Sequence, residues 1–509
     1  MIIKIPRSKK ISVFFLLFLE TIGVLIYYYI IMKKKERKMI QKRLFEDYSE
    51  NVALINRLLA VESSFDMLSK TITLNDGELT LYFIDGFAKD TVLQKLMMHI
   101  LSTKKLKVCA RDFMETTLPY IETDVTDDVE RMIFTVMSGG TLVLGSSFGA
   151  EALLVDSRTY PARETAEPEG DRVMRGSRDG FVETLIFNTA LIRRRVRNPA
   201  LSMKYFKIGR DSGSDVVLCY MSDRADMEYV DWLSKKLASI KTDSLTMGHE
   251  SLKECLIRQK WYNPFPKIRT TERPDAAVSQ LLEGSVLVIV DNSPQVMVLP
   301  STIFDFMQES NDYYFPPLTG TYIRLVRYIV FFLTLVLTPT WLLLLEHPDF
   351  IPEWLRFIIP QENGRLPILV QLLLVEFIID ALRLASLNTP NMLNNSLSVV
   401  GGLILGDFAV SIGWLIPEVI LYMAFAAIAN FTQRSYELGY AIKFLRILLL
   451  VLTSLFGIWG YSAGFVIITV LIATNSTVNG KRNYLYPLIP FKPKALKTLL
   501  LRTKKNDFH

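Results

Sequence analysis

The chain has 509 residues, of which 50% are hydrophobic and 22% charged, with a formal net charge of +6 and a mean hydropathy of +0.25. So much apolar surface buries a core, which excludes disorder, whereas a chain made only of membrane helices would score higher. Cys109, Cys219 and Cys255 are too few and too scattered for a disulfide scaffold or a CxxC metal or redox motif. Charge is unevenly placed, and long runs from Tyr328 onward carry almost none. The expected fold class is therefore an α/β cytosolic domain in two subdomains, followed by a polytopic α-helical transmembrane domain. Basic residues cluster beside the apolar runs, which points to membrane flanks and a lipid bilayer, and away from nucleic acid.

In chain order, residues 1–38 hold a first apolar run, Ile11 to Met32, with lysines and arginines on both sides and no small-residue cleavage site after it. It reads as a possible uncleaved anchor. Subdomain 1 is expected over 39–160, with strands at Glu78 to Phe87 and Thr141 to Leu144 and helices at Asp90 to Leu101 and Thr126 to Met137. Asp127 with Glu130 suggests a capping box for that last helix. Pro161 to Gly170 (PARETAEPEG) is the expected linker. Subdomain 2 is expected over 171–322. Its helices fall at Phe181 to Val196 and Asp226 to Ile240, and its strands at Met203 to Ile208 and Val216 to Tyr220, joined by a turn at Asp211 to Asp215. A short capped helix, Asp275 to Gly284, leads into the strand pair Val286 to Val290 and Val296 to Leu299.

A membrane span needs about 20 apolar residues. The transmembrane domain, 323–480, offers Tyr328 to Leu345, Leu366 to Ala385, Ser396 to Leu415 and Ile416 to Phe431. Phe444 to Thr474 is too long for one crossing, and glycines at 457, 460 and 464 suggest a hairpin or re-entrant pair. Glu346 to Arg365 holds four acids against two arginines, so it is expected outside. The tail, 481–509, carries eight Lys or Arg between Lys481 and Lys505, so it is expected in the cytoplasm.

Several motifs carry chemistry. Gly145-Ser-Ser-Phe-Gly149 matches the GxSxG nucleophile elbow, but AEALLVDS after it reads as a return strand where that elbow needs a helix. No GxxxxGK[ST] or HExxH exists, so no catalytic residue, metal or cofactor is expected. Arg193, Arg194, Arg195 and Arg197 end a helix. They serve either as favourable charge at its C-terminus or as an interface to an acidic partner, lipid headgroup or second subunit. Glu376 and Asp380 lie four apart on a membrane helix, where charges normally face protein or water. Two readings stand: an ion pair of Asp380 with Arg383, or a polar pore. Gly401, Gly402 and Gly406 suit close helix packing. Asp407 beside them adds a third acid, which favours cation over anion passage.

Longer motifs carry a resemblance. Arg175 to Arg195 (RGSRDGFVETLIFNTALIRRR), Thr271 to Gly284 (TERPDAAVSQLLEG), Asp312-Tyr-Tyr314, Ile323 to Tyr328 (IRLVRY) and Ser398 to Gly406 (SVVGGLILG) occur in one order. In these the chain, over about residues 45 to 495, resembles the A-subunit family of bacterial spore germination receptors, the GerA type. Thr389 to Phe408 looks closest to its stage V sporulation protein AF branch. The resemblance implies a spore inner-membrane protein with its large N-terminal domain cytosolic. It also implies a homo-oligomeric ring that forms, with B- and C-subunit-like partners, a cation channel releasing ions in germination. A non-conducting scaffold for other germination proteins is the alternative. The Ile11 to Met32 segment is not typical of the family.

Overall fold

Strands buried on both faces organise the polar half of the chain. The computed structural model describes residues 42–502 except 75, 89, 103–108, 119–121, 158–175, 258–261, 310, 362–363, 389–407 and 482. The first apolar segment and the Pro161 to Gly170 linker lie outside the described residues. The described chain forms two compact units. Among the described residues, one draws on 42–62, 66–157 and Arg197–Pro199, the other on Ser63–Phe65, 176–196 and 200–502.

The first unit is an antiparallel sheet of β1 (Met67–Leu74), β2 (Gly77–Ile84), β3 (Thr123–Thr126), β4 (Thr141–Gly145) and β5 (Ala152–Val155), in the order β1-β2-β4-β5-β3. Its helices are α1 (Tyr48–Leu58), α2 (Asp90–Ser102), α3 (Ala110–Thr117) and α4 (Val129–Met137). Successive strand residues point to opposite faces. Leu79, Leu81, Val143 and Leu153 therefore pack with Leu93, Leu96 and Ile100 of α2 and Phe113 of α3. The intervening Thr80 and Tyr82 meet α1, through the Tyr48 hydroxyl at 2.7 Å and the Val52 carbonyl at 3.4 Å. The expected helix from Thr126 starts later, because Thr126 closes β3. Its N-cap is Asp128, which accepts from the Glu130 amide at 2.9 Å, while Asp127 instead faces Arg43 at 3.3 Å. The GSSFG loop joins β4 to its antiparallel neighbour β5, as the return-strand reading anticipated, and no helix follows it.

The second unit opens with the sheet β6 (Leu201–Ile208), β7 (Ser214–Met221), β8 (Arg269–Thr271), β9 (Val286–Val290) and β10 (Val296–Leu299), antiparallel in the order β6-β7-β9-β10-β8. Val217, Cys219 and Met221 share one core with α5 (Leu185–Arg195) and α8 (Pro274–Leu282). Val216, Leu218 and Tyr220 share the other with α6 (Met227–Ala238) and α7 (His249–Leu256). The helix expected from Phe181 begins at Leu185. Asn188 bonds both the amide and the carbonyl of Val182, at 2.8 and 2.6 Å, and Phe181 donates to the Glu272 carbonyl, so 181–184 stays outside the helix. Asp275 lies inside α8 rather than capping it, and Gly284, at φ 102°, follows the C-cap.

The same unit continues into helices. These are α9 (Pro317–Glu346), α10 (Ile368–Asn388), α11 (Pro417–Phe431), α12 (Tyr436–Ala473) and α13 (Pro493–Leu500). Two of them, α9 and α12, are long and apolar enough to cross a membrane. Glu376, Asp380 and Arg383 interrupt the apolar run of α10, and α11 has 15 residues. Gly457 breaks α12 at φ 56°, ψ −133°. A side chain at Gly460 would collide with the Leu452 carbonyl and one at Gly464 with Leu449. In a straight helix, residues 449 and 464 would lie about 22 Å apart. The chain therefore doubles back at 457, as its excess length suggested. Ile442, Leu445 and Leu449 of the first limb pack on Leu335 and Val336 of α9 and Ile468 of the second limb. Trp341 of α9, Leu372 and Val375 of α10, and Val419 and Met423 of α11 form a neighbouring cluster.

Candidate functional site: a charge cluster among the apolar helices

Glu376 and Asp380 project from successive turns of α10 towards α12, which meets them with Lys443 and Arg446. The spacings match, four residues on one helix and three on the other, so each pair lies on one face. The Arg446 Nη2 donates to both Glu376 oxygens, at 2.8 and 2.6 Å, and its Nη1 to the Thr334 carbonyl of α9 at 3.2 Å. Lys443 Nζ lies 3.2 Å from Glu376 and bonds Asp380 directly. Two carboxylates thus face two cations, and formal charge cancels within the cluster. Burial is unequal. The Glu376 side chain is 8% exposed and Arg446 1%, but Asp380 is 32% exposed.

Asp380 therefore pairs with Lys443 and not with Arg383, the partner expected from spacing alone. Arg383 instead stacks over the rings of Phe431, at 4.9 Å, and Tyr440, at 5.6 Å. Asp407, Gly401, Gly402 and Gly406 lie outside the described residues. Lys443 and Arg446 were legible only as basic residues flanking an apolar run. The available signal was their spacing, which complements that of the two acids.

A second buried network sits where α9 begins. Asp312, fully buried in the one-turn helix Asn311–Tyr314, accepts from Arg327 at 2.8 and 3.0 Å and faces Arg324 at 3.4 Å. Glu309 takes a further Arg327 bond at 2.6 Å. Arg324 also donates to the carbonyls of Thr498 and Leu499 in α13, at 3.1 and 3.0 Å. Nearby motifs join a third set of contacts. Arg273 holds Asp275 at 3.0 and 2.6 Å and the Ser177 carbonyl at 3.0 Å, and the Tyr314 hydroxyl also donates to Asp275. Gly176 lies against the Tyr314 ring, leaving no room for a side chain. Burial alone would raise the Asp275 pKa, but the bonds from Arg273 and Tyr314 outweigh it and hold the carboxyl below its ordinary value.

The arginine run divides by exposure. Arg193 is buried, donating to the Leu201 carbonyl at 3.0 Å and to Ser64 at 3.1 Å, and Arg195 pairs with Asp179. Arg194 and Arg197 are exposed. No group of three or more His, Cys, Asp or Glu residues poised to hold a metal ion occurs among the described residues.

The chain thus joins an α/β region of antiparallel sheets to apolar helices that enclose ion pairs, two of them long and apolar enough to cross a membrane. The chain belongs to the Bacillus/Clostridium GerA spore germination protein family, whose model matches residues 54–509. It is 35% identical over 468 residues to Stage V sporulation protein AF of Bacillus subtilis (strain 168), covering 91% of this chain and 94% of that protein. It is 30% identical over 459 residues to the uncharacterized membrane protein YfkQ of the same organism, covering 88% of each. Among solved structures, the N-terminal domain of the A subunit of the Bacillus megaterium spore germinant receptor GerK3 aligns at 23% identity with a TM-score of 0.38. That alignment covers 50% of this chain and 95% of the solved one. The family and branch resemblance carried by the motifs is thereby shown.

Proposed function

We propose that the protein is a spore germination membrane protein, A-subunit-like, that forms or contributes to an oligomeric cation channel triggering or amplifying ion release. Its helical part is polytopic, in the spore inner membrane, with the N-terminal domain and basic tail in the cytoplasm. B- and C-subunit-like germination proteins are its partners. The ion path runs past Glu376, Asp380 and Asp407. The observation that carries this reading is the 32% exposure of the Asp380 side chain on a helix packed against α11 and the membrane-length α12. A carboxylate at that depth faces water or protein in preference to lipid. In a ring of copies, that open flank is where a water-filled path fits.

The pairing of both acids with Lys443 and Arg446 also supports a second reading, a non-conducting scaffold in which the cluster only joins α10 to α12. Here Arg194 and Arg197 become the interface. Potassium and sodium efflux from liposomes holding the purified protein separates the two. A channel loses efflux or cation preference in Glu376→Gln, Asp380→Asn and Asp407→Asn, whereas a scaffold gives none in the wild type. Expression of the N-terminal domain alone then restores germination only if the protein is a scaffold.

A further inference from the structure

The segment after α12 presents a surface that conduction does not use. From Lys481 to Lys505 it carries eight Lys or Arg and no Asp or Glu. Lys492, Lys494 and Lys497 are exposed, and no ion pair engages them among the described residues. Beside them stand exposed apolar side chains, Leu488 at 43%, Ile489 at 53% and Phe491 at 67%. Within α13, Lys494 and Lys497 share one side while Leu496, Leu499 and Leu500 share the other, where Leu499 is buried in the protein and Leu500, with Leu501 after it, stays exposed. Lys492 lies over the Tyr486 ring at 5.6 Å, but no carboxylate among the described residues offsets the three ammoniums, and water alone does not favour the apolar groups exposed beside them. A membrane surface favours both, through burial of the apolar groups and attraction of the ammoniums to anionic headgroups.

The depth agrees. Arg324 grips the carbonyls of Thr498 and Leu499, which fixes the end of α13 level with Arg324, one turn before the uncharged run from Tyr328 begins. Arg502 adds bonds to the carbonyls of Phe315 and Tyr313 at the foot of α9. On α9 itself Tyr322 and Ile329 are exposed at 67% and 58%, so the apolar surface continues from the span onto this foot. We propose that residues 488–501 form an interfacial foot that binds anionic phospholipid headgroups through Lys492, Lys494 and Lys497. This rests on the membrane reading above.

The test uses the full-length protein reconstituted in phosphatidylcholine, with trace spin-labelled phosphatidylglycerol or spin-labelled phosphatidylcholine. Electron paramagnetic resonance then gives the fraction of each label immobilised at the protein surface. The wild type is expected to immobilise the phosphatidylglycerol label several-fold more than the phosphatidylcholine label. That excess is expected to disappear in the Lys492→Gln/Lys494→Gln/Lys497→Gln variant and at about 1 M salt, where the Debye length is near 3 Å. The phosphatidylcholine fraction is expected to stay unchanged in the variant, which shows that it still folds and inserts. Wild type that immobilises both labels equally, or a variant that keeps the excess, overturns the foot but leaves the membrane reading standing. A wild type that immobilises neither label overturns both.

Discussion

Two buried charge networks in the helical part invite comparison. At the foot of α9, Asp312 is wholly enclosed and shared by Arg324 and Arg327, which also reach Glu309 and the carbonyls of α13. Between α10 and α12, Glu376 is enclosed in the same manner, but Asp380 keeps an open flank. Both networks satisfy the rule that buried charges are paired. The first network also has an outer carboxylate, Glu309, 30% exposed, but it lies in the loop that precedes α9 and not on an apolar helix. Asp380, by contrast, is a partly open carboxylate within a helix that packs among apolar ones, and on the proposed reading that placement distinguishes it as the acid of the ion path, with Asp312 as the architectural one.

The comparison breaks first at Asp312. Replacing it by Asn leaves two buried arginines short of a counter-charge and is expected to cost about 3–5 kcal/mol, read as a lowered unfolding midpoint in detergent. A loss below about 1 kcal/mol would remove its architectural role. Glu376→Gln is expected near the lower end of the same range, because Arg446 is left uncompensated. Replacing both partners, as Glu376→Leu with Arg446→Met, is expected to recover most of that stability. Continued instability of the double variant would show that Thr334 and Lys443 depend on the pair for more than charge balance.

Away from the apolar helices, Asp275→Asn is expected to cost roughly 1–3 kcal/mol for hydrogen bonds to a charged group. The sign follows from its lowered pKa. The carboxylate contributes stability above the ordinary carboxyl value of about 4, and the contribution is lost as pH falls through the lowered folded-state value. Near-ultraviolet circular dichroism melts of wild type and variant should therefore differ at pH 7 and converge in acid; parallel curves down to pH 2 would rule the linkage out. The smallest stability change is expected for Asp380→Asn, about 1 kcal/mol, because Asp380 is 32% exposed and the buried Lys443 keeps Glu376 at 3.2 Å as a counter-charge. On the proposed channel reading its main effect is expected in conductance.

Much of this architecture was legible in the amino-acid sequence, for reasons that also explain the failures. The strands β2, β4, β7, β9 and β10 are apolar runs bounded by turn residues, and each pairs on both sides within its sheet. The strands that escaped notice, β1, β3 and β8, are all edges. The first is largely exposed, and the others have only four and three residues. The fold-back at Gly457 was legible because the apolar run exceeds a bilayer. At the candidate site the acids stood out as costly in a membrane helix, but their partners did not. Lys443 lies 63 residues from Asp380 and Arg446 lies 70 from Glu376, and both read equally well as flanking charge. Arg383, near in sequence, is drawn instead to Phe431 and Tyr440, a choice that only tertiary packing makes.

The most direct test of the central claim is the reversal potential across a planar bilayer under a potassium chloride gradient, for wild type, Asp380→Asn and the Glu376→Leu/Arg446→Met pair. The account predicts cation-selective current in the wild type, a marked fall in selectivity for Asp380→Asn, and a smaller change for the pair. Selectivity unchanged by Asp380→Asn, in protein whose unfolding midpoint is also unchanged, would contradict it.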